Sequence, residues 1–307
     1  MTQTDIDFIR TCLGTERTLF YYFKDRYAFQ LLGYAAGAGQ RVHALRRSAV
    51  GRLLDKPLVK RWLAGQPAGV VQRDRLDAFW PVEPMLYRLT LGQWGDGDTR
   101  EWAWDQVTRP EPNLVLQLNF SNQHNHQFRT LTGDNPLDEQ GYGHPVSEKH
   151  CTLAWSRLDV DLETGEALIE EVQSDWISEI EETLAYFDRR LREAYGWTPA
   201  KHAGWRRYVE TVLRRHKAVW AEALLSATLH LLIDELGIHR IYFHTDAGGR
   251  QLKPMANPPR SLYSRLPRRF CFTETETAPT FLRSTRHRRL RQRLRGARFF
   301  VSTPVPV

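Results

Sequence analysis

The segment Ala167-Leu168-Ile169-Glu170-Glu171-Val172-Gln173-Ser174-Asp175-Trp176 carries most of the information about architecture. Its first half has the short apolar run of a buried strand. Its end is polar, and Ser174 or Asp175 can cap a following helix. Just before it, Glu163-Thr164-Gly165-Glu166 is a short glycine-containing turn, and Cys151 to Leu162 is a second strand-like run. The two strands therefore read as a β-hairpin. Beyond it, Ile177 to Tyr195 reads as one helix broken at Gly196, and Gly204 to Leu236 as a long helical region ending at Gly237. His239 to His244 then reads as a buried strand.

Further from the hairpin, Asn113 to Phe120 alternates: Leu114, Leu116, Leu118 and Phe120 face one way, and Val115, Gln117 and Asn119 the other. Met85 to Leu91 and Trp102 to Val107 are strand-like. Ser121 to Ser147 is polar throughout and reads as a long loop, either functional or partly mobile. Gly248-Gly249 and the prolines at 254, 258 and 259 make an irregular loop, Ser261 to Leu266 a helical turn, and Arg269 to Thr273 a last strand. The first eighty residues read as helical. Asp5 to Cys12 stops at Gly14. Thr15 can cap a second helix whose stripe is Leu19, Phe20, Phe23, Tyr27, Leu31 and Tyr34. Val42 to Leu54 and Pro57 to Leu63 follow, with a turn at 66–69. The order implies an α+β fold: a central antiparallel or mixed sheet covered by helices. The expected organisation is an N-terminal helical region over 1–80, an α+β domain over 81–282 and an arginine-rich segment over 283–307.

The chain has 307 residues, 41% hydrophobic and 26% charged, the balance of a soluble globular protein rather than a disordered one. No apolar run approaches the roughly 20 residues of a membrane span. The start, Met1-Thr2-Gln3-Thr4-Asp5, has no secretory pattern. Cys12, Cys151 and Cys271 lie far apart, which argues against a disulfide scaffold or zinc finger and fits a reducing, cytoplasmic setting. The net charge of +7 is concentrated: Arg283 to Arg298 holds eight arginines and no acid.

Two family resemblances are visible. Residues 167–176 resemble the "EEIQSDW" signature of a domain associated with large polyvalent proteins of phages and mobile elements. Leu153, Ala154 and Arg157 upstream, and Trp220, Glu222 and the strand Ile238 to Thr245 downstream, agree with it. That resemblance implies a phage-related neighbourhood and no particular reaction. The sequence of hairpin, helix, strand, short helix near Tyr263 and final strand also looks like the second half of a GNAT-type N-acetyltransferase. This second resemblance implies a transferase using acyl-CoA. Yet the glycine-rich turn that holds the pyrophosphate in that family is absent at Gln173 to Glu179, and Asp175 and Glu179 would repel the phosphates.

Several residues can carry chemistry. Glu171 and Gln173 share a strand face, and His244 closes the next strand just before the glycines, so the expected catalytic set is Glu171, Gln173 and His244 around one cleft. Asp175, Asp246, Asn119 and His124 are the expected substrate contacts, although Asp175 can equally serve as a helix cap. No spacing marks a metal site, no cofactor is specified, and Walker A, G-x-S-x-G and HExxH patterns are absent. The other functional class is a non-catalytic accessory protein. It would bind nucleic acid through Arg286, Arg288, Arg289, Arg291, Arg293 and Arg295. Leu290, Leu294 and Ala297 recur at helical spacing in that segment, so a packed helix with a solvated arginine face is an equal reading.

Overall fold

A computed structural model describes residues 1–14, 18–66, 69–95, 106–141, 143–190, 198–253 and 260–303. Helix α1 (Gln3–Leu13) is closed by a capping box of Thr2 and Asp5. It leads to strand β1 (Leu19–Tyr22) and helix α2 (Arg26–Ala36). The continuous stripe expected from Leu19 to Tyr34 is thus two elements. The run Leu19-Phe20-Tyr21-Tyr22 prefers a sheet edge, and Asp25, at φ 67°, turns the chain into α2. Thr15, the expected cap, lies outside the described residues. A two-residue ribbon, β2 (Gln40–Arg41) and β3 (Val70–Val71), frames α3 (Val42–Arg46), a 3₁₀ turn (Gly51–Asp55) and α4 (Pro57–Ala64), which begins on its proline. Helix α5 (Arg73–Asp77) completes the region.

The sheet strands are then laid down: β4 (Met85–Trp94), β5 (Asn113–Phe120), β6 (Thr152–Asp161) and β7 (Glu166–Gln173). Of the strand expected over 102–107, positions 102–105 lie outside the described residues and 106–107 are not extended. The polar stretch after β5 is not a loop at its start but helix α6 (Asn122–Thr132). Ser121 caps it and Gly133, at φ 80°, ends it. It buries only His124, Phe128 and Thr132, a stripe with one apolar member, so hydrophobic periodicity could not reveal it.

Helix α7 (Asp175–Arg190) follows β7; the expected continuation to Tyr195 and the break at Gly196 lie outside the described residues. The expected long helix is segmented: α8 (Pro199–Tyr208), a π turn, α9 (Arg214–Lys217), α10 (Trp220–Leu229) and a second π turn (His230–Glu235), before Gly237 at φ 66°. Strand β8 (Arg240–His244) leads into α11 (Asp246–Leu252). The glycine pair is therefore helical, not an irregular loop. Thr245 caps the helix, and a Cβ on Gly248 would sit 2.1 Å from the Arg298 carbonyl oxygen, so glycine is required by close backbone approach. The prolines at 254, 258 and 259 lie outside the described residues. A 3₁₀ turn (Arg260–Tyr263) and α12 (Arg265–Arg269) precede β9 (Thr273–Thr275), so the last expected strand begins later than Arg269. The arginine-rich segment is folded: α13 (Thr280–Arg283), α14 (Arg288–Arg293) and β10 (Phe299–Ser302).

The fold is α+β. One sheet of eight strands runs in the order β1-β4-β5-β6-β7-β8-β10-β9, antiparallel except for the parallel pair β7–β8. The N-terminal region contributes β1 to this sheet and packs α2 on α10, so it shares the core of the rest. Strand faces divide two cores by simple alternation. Ala167, Ile169, Ile241, Phe243 and Phe300 join the large core beneath α2 and α10. Leu168, Tyr242 and Phe299 join a small one on the opposite face with Leu252, Phe281, Leu282, Leu290 and Ala297. The arginine-rich segment thus covers the second face of the sheet and supplies a strand between β8 and β9. No described helix is long and apolar enough to cross a membrane.

Candidate functional site

The site grows from an irregularity in β7. Its register with β6 runs Arg157↔Glu171 and then Leu158↔Ile169, which leaves Glu170 as the extra residue of a β-bulge. On its other side β7 pairs with β8 only as far as Ile169↔Phe243. Beyond that point the two parallel strands no longer pair, and polar side chains occupy the opening. The Lys253 Nζ donates to the Glu170 carbonyl oxygen at 2.7 Å and lies 3.2 Å from the Glu170 carboxylate and 4.0 Å from that of Glu171. The Glu170 carboxylate also accepts from the Thr108 amide at 3.1 Å and hydroxyl at 2.8 Å. It lies 3.1 Å from Nε2 of His244. Glu170, His244 and the Lys253 ammonium are fully buried.

These ionisable groups set one another's charge state. Burial by itself would raise the Glu170 pKa, but Lys253, His244 and Arg157 together hold its carboxylate well below the ordinary range. Burial lowers the Lys253 pKa against the pull of Glu170 and Glu171. Burial also lowers that of His244, opposed by its bond to Glu170. The cluster is an internal ion network, and its Lys253 ammonium satisfies the Glu170 carbonyl oxygen just beyond the point where β7 stops pairing with β8.

Next to it is a cavity of about 450 Å³ at the C-terminal end of β7. Arg157, Glu171 and Gln173 supply its polar wall from β6 and β7; Trp94, Trp155 and Trp220 are apolar walls, and the start of α7 closes it. Arg157 is ion-paired with Glu171, and its guanidinium lies over the rings of Trp94 at 5.4 Å and Trp155 at 5.8 Å. Asp175 is not a simple cap: it accepts from the Trp155 indole at 2.7 Å and from the Gln173 amide, and lies 3.4 Å from His144. Ser174 donates to the Leu153 carbonyl. Tyr263 is fully buried over Phe243, and its hydroxyl has no hydrogen-bond partner among the described residues.

Of the residues expected from sequence, Glu171 and Gln173 therefore line one cavity, with Asp175 hydrogen-bonded to Gln173. His244 does not line it. It is bonded to Glu170 and Thr108 behind the wall, its Nδ1 has no partner among the described residues, and it belongs to the buried network instead of the cavity lining. Asn119 does not line the cavity either. It is fully buried on β5, donating to Thr90 at 2.7 Å and accepting from Thr152 at 2.7 Å, a cross-strand ladder that Gln117 extends. His124 is likewise internal: it stacks on Phe120 at 3.4 Å between centroids and lies 2.8 Å from the Tyr208 hydroxyl. Burial drives its pKa down to about 3. Asp246 is a surface residue of α11, 3.2 Å from Arg250 and 3.9 Å from Arg260, away from the cavity. Arg286, Arg288, Arg289, Arg291, Arg293 and Arg295 are all exposed. Among the described residues no cluster of His, Cys, Asp and Glu could hold a metal ion.

Sequence reasoning missed Glu170, Lys253 and Thr108. Strict alternation places Glu170 opposite Glu171, and only the bulge turns both carboxylates towards Lys253. No family model, curated protein or solved structure matches this chain.

Proposed function

We propose that the protein is an enzyme of the transferase type, working in the cavity at the end of β7. The observation that carries this reading is the place where β7 and β8, the only parallel pair among the described strands, separate. Strand β7 bulges at Glu170, pairing with β8 stops at Ile169↔Phe243, and a 450 Å³ cavity opens beside the bulge. In open sheets, ligands gather at such strand ends. The wall chemistry fits a substrate with an apolar or aromatic part and a polar reacting group. Trp94, Trp155 and Trp220 receive the first. Glu171 is the base that accepts a proton from the attacking group, with Arg157 countering its charge and Gln173 orienting the substrate by hydrogen bonding. The single parallel pair, with the last strand inserted between β8 and β9, also suits the resemblance to acyltransferases. The missing glycine turn weighs against a pyrophosphate at the start of α7.

The test is native mass spectrometry of the purified protein for a retained small molecule, followed by thermal-shift titration with coenzyme A, acyl-CoA and the recovered ligand. Stabilisation that disappears in Arg157→Met and turnover that disappears in Glu171→Gln support the reading. A retained ligand whose binding is unchanged by both variants sinks it.

A further inference from the structure

We propose that the groove framed by Arg283, Arg288, Arg291 and Arg295 binds the phosphodiester backbone of double-helical nucleic acid. The proposal is independent of the cavity at β7. The segment from Arg283 to Arg298 holds eight arginines, one histidine and no acid. The fold gives this composition a direction. Leu290 and Ala297 are buried in the small core on the second face of the sheet, and Leu294 packs against it. With the apolar side of α14 held down, its arginines are turned outward. A groove of about 660 Å³ lies between Arg283, Arg288, Arg291 and Arg295, with Gln292 and Leu294 completing it. Arg288 and Arg291 share one side of α14, and Arg295, in the turn just after the helix, lines the same groove.

The arginines of this groove differ from others in the chain. Arg109 is doubly bonded to Asp159, Arg73 reaches Asp234, and Arg269 meets Glu222. Within the segment itself, Arg298 pairs with Glu276, and Arg283 donates to the Thr280 hydroxyl. Among the described residues, no carboxylate forms an ion pair with Arg288, Arg291 or Arg295. Arg288 and Arg291, three residues apart on α14, are like charges that repel, which works against the helix that carries them. A polyanion would relieve that repulsion and release its own condensed counterions.

The lining also identifies the kind of polyanion. A single-stranded partner is held by aromatic platforms on which bases stack, and none of the described residues that line this groove is aromatic. An amphipathic segment seated in a membrane interface buries exposed apolar residues beside its basic ones. Here the only apolar lining residue, Leu294, is half-buried against the core. Guanidinium groups that meet only phosphates position a duplex without reading its sequence.

The experiment uses the full chain and a mixed-sequence 20-base-pair DNA duplex, with affinity measured by fluorescence anisotropy from about 50 to 200 mM salt. Four phosphate contacts predict a slope of log K against log salt of roughly −3 to −4. The variant Arg288→Gln/Arg291→Gln/Arg295→Gln should lose about three units of slope and at least about tenfold in affinity at 0.1 M salt. The matching lysine variant should keep the slope, because a point charge suffices for phosphate. A control, Arg207→Gln/Arg214→Gln/Arg215→Gln, removes the same charge from exposed positions on other helices and should leave binding within about twofold, since distant charges are screened. Thermal melts establish that all variants are folded. The proposal is overturned if the control loses as much affinity as the groove variant, or if the single strand binds more tightly than the duplex. It is equally overturned if anionic phosphatidylserine vesicles are bound while the duplex is not. Truncating the segment is not an informative alternative, because it removes a strand from the middle of the sheet edge.

Discussion

Replacing Lys253 with methionine is the sharpest perturbation of the site. The ammonium is fully buried and lies 3.2 Å from the Glu170 carboxylate while donating to the Glu170 carbonyl at 2.7 Å. Methionine has similar length and no charge, so packing is largely retained and the electrostatic consequence is isolated. Glu170 is then left as a buried carboxylate bonded to Thr108 and His244, with Arg157 as its remaining cationic neighbour. Breaking a buried ion pair from one side costs about 3–5 kcal/mol, since the surviving charge keeps its desolvation penalty. At roughly 2–4 °C in melting temperature per kcal/mol, a fall of about 6–20 °C is expected. Glu170→Gln alone should also destabilise, because it strands Lys253. The double variant should recover part of the loss, with a coupling of about 1–3 kcal/mol in the cycle. Urea unfolding with the linear extrapolation supplies all four free energies. Because the pair is buried, the coupling should persist in 0.5 M salt. A Lys253→Met protein within about 1 kcal/mol of the parent, or strictly additive variants, would show that the network does not hold the end of β7 in place.

Three other outcomes follow from the geometry. His124 and His216 have pKa values lowered by burial to about 3 and about 4. Below about pH 6.5 the unfolded chain therefore takes up protons that the folded one refuses, and stability falls with pH by up to ~1.4 kcal/mol per unit per histidine; urea midpoints at pH 5, 6 and 7 should show this slope, reduced in His124→Gln. A Cβ on Gly204 would lie 2.0 Å from the Leu131 carbonyl oxygen, so Gly204→Ala should destabilise by about 1–3 kcal/mol as α8 is pushed from α6, and an unchanged melting curve would contradict that contact. Trp155→Phe removes the indole donor to Asp175 and should cost about 1–3 kcal/mol, measured by calorimetry, while enlarging the cavity.

The sequence announces those elements whose side chains alternate without interruption. Strand β5 reads at its true bounds, Asn113 to Phe120, because every second residue is apolar and all eight are buried. The hairpin of β6 and β7 reads equally well from its turn. What stays hidden depends on long-range partners. Asn119 and His124 look like ligand contacts because polar side chains are normally exposed, yet Thr90, Thr152 and Tyr208 satisfy them inside. Glu170 is misplaced by alternation because a bulge is not written in composition. Lys253 meets Glu170 across 83 residues of chain, and nothing local marks it. Strand β10 is short, and the arginines before it dominate any reading of charge.

The position of β10 bears on how the molecule comes to be made. Strand β8 ends at His244, yet its neighbour on one side arrives only with Phe299–Ser302. During synthesis, everything from β1 to β8 can emerge and begin to associate while that flank of β8 is still vacant. An unpaired flank rich in Ile241, Tyr242 and Phe243 is a template for wrong partners. The interval is more than fifty residues long, which at about 5–20 residues per second amounts to several seconds. A nascent chain stalled within 245–298 would therefore be the form most in need of a chaperone, and α14, with its repelling arginines, emerges just ahead of the strand that ends the exposure.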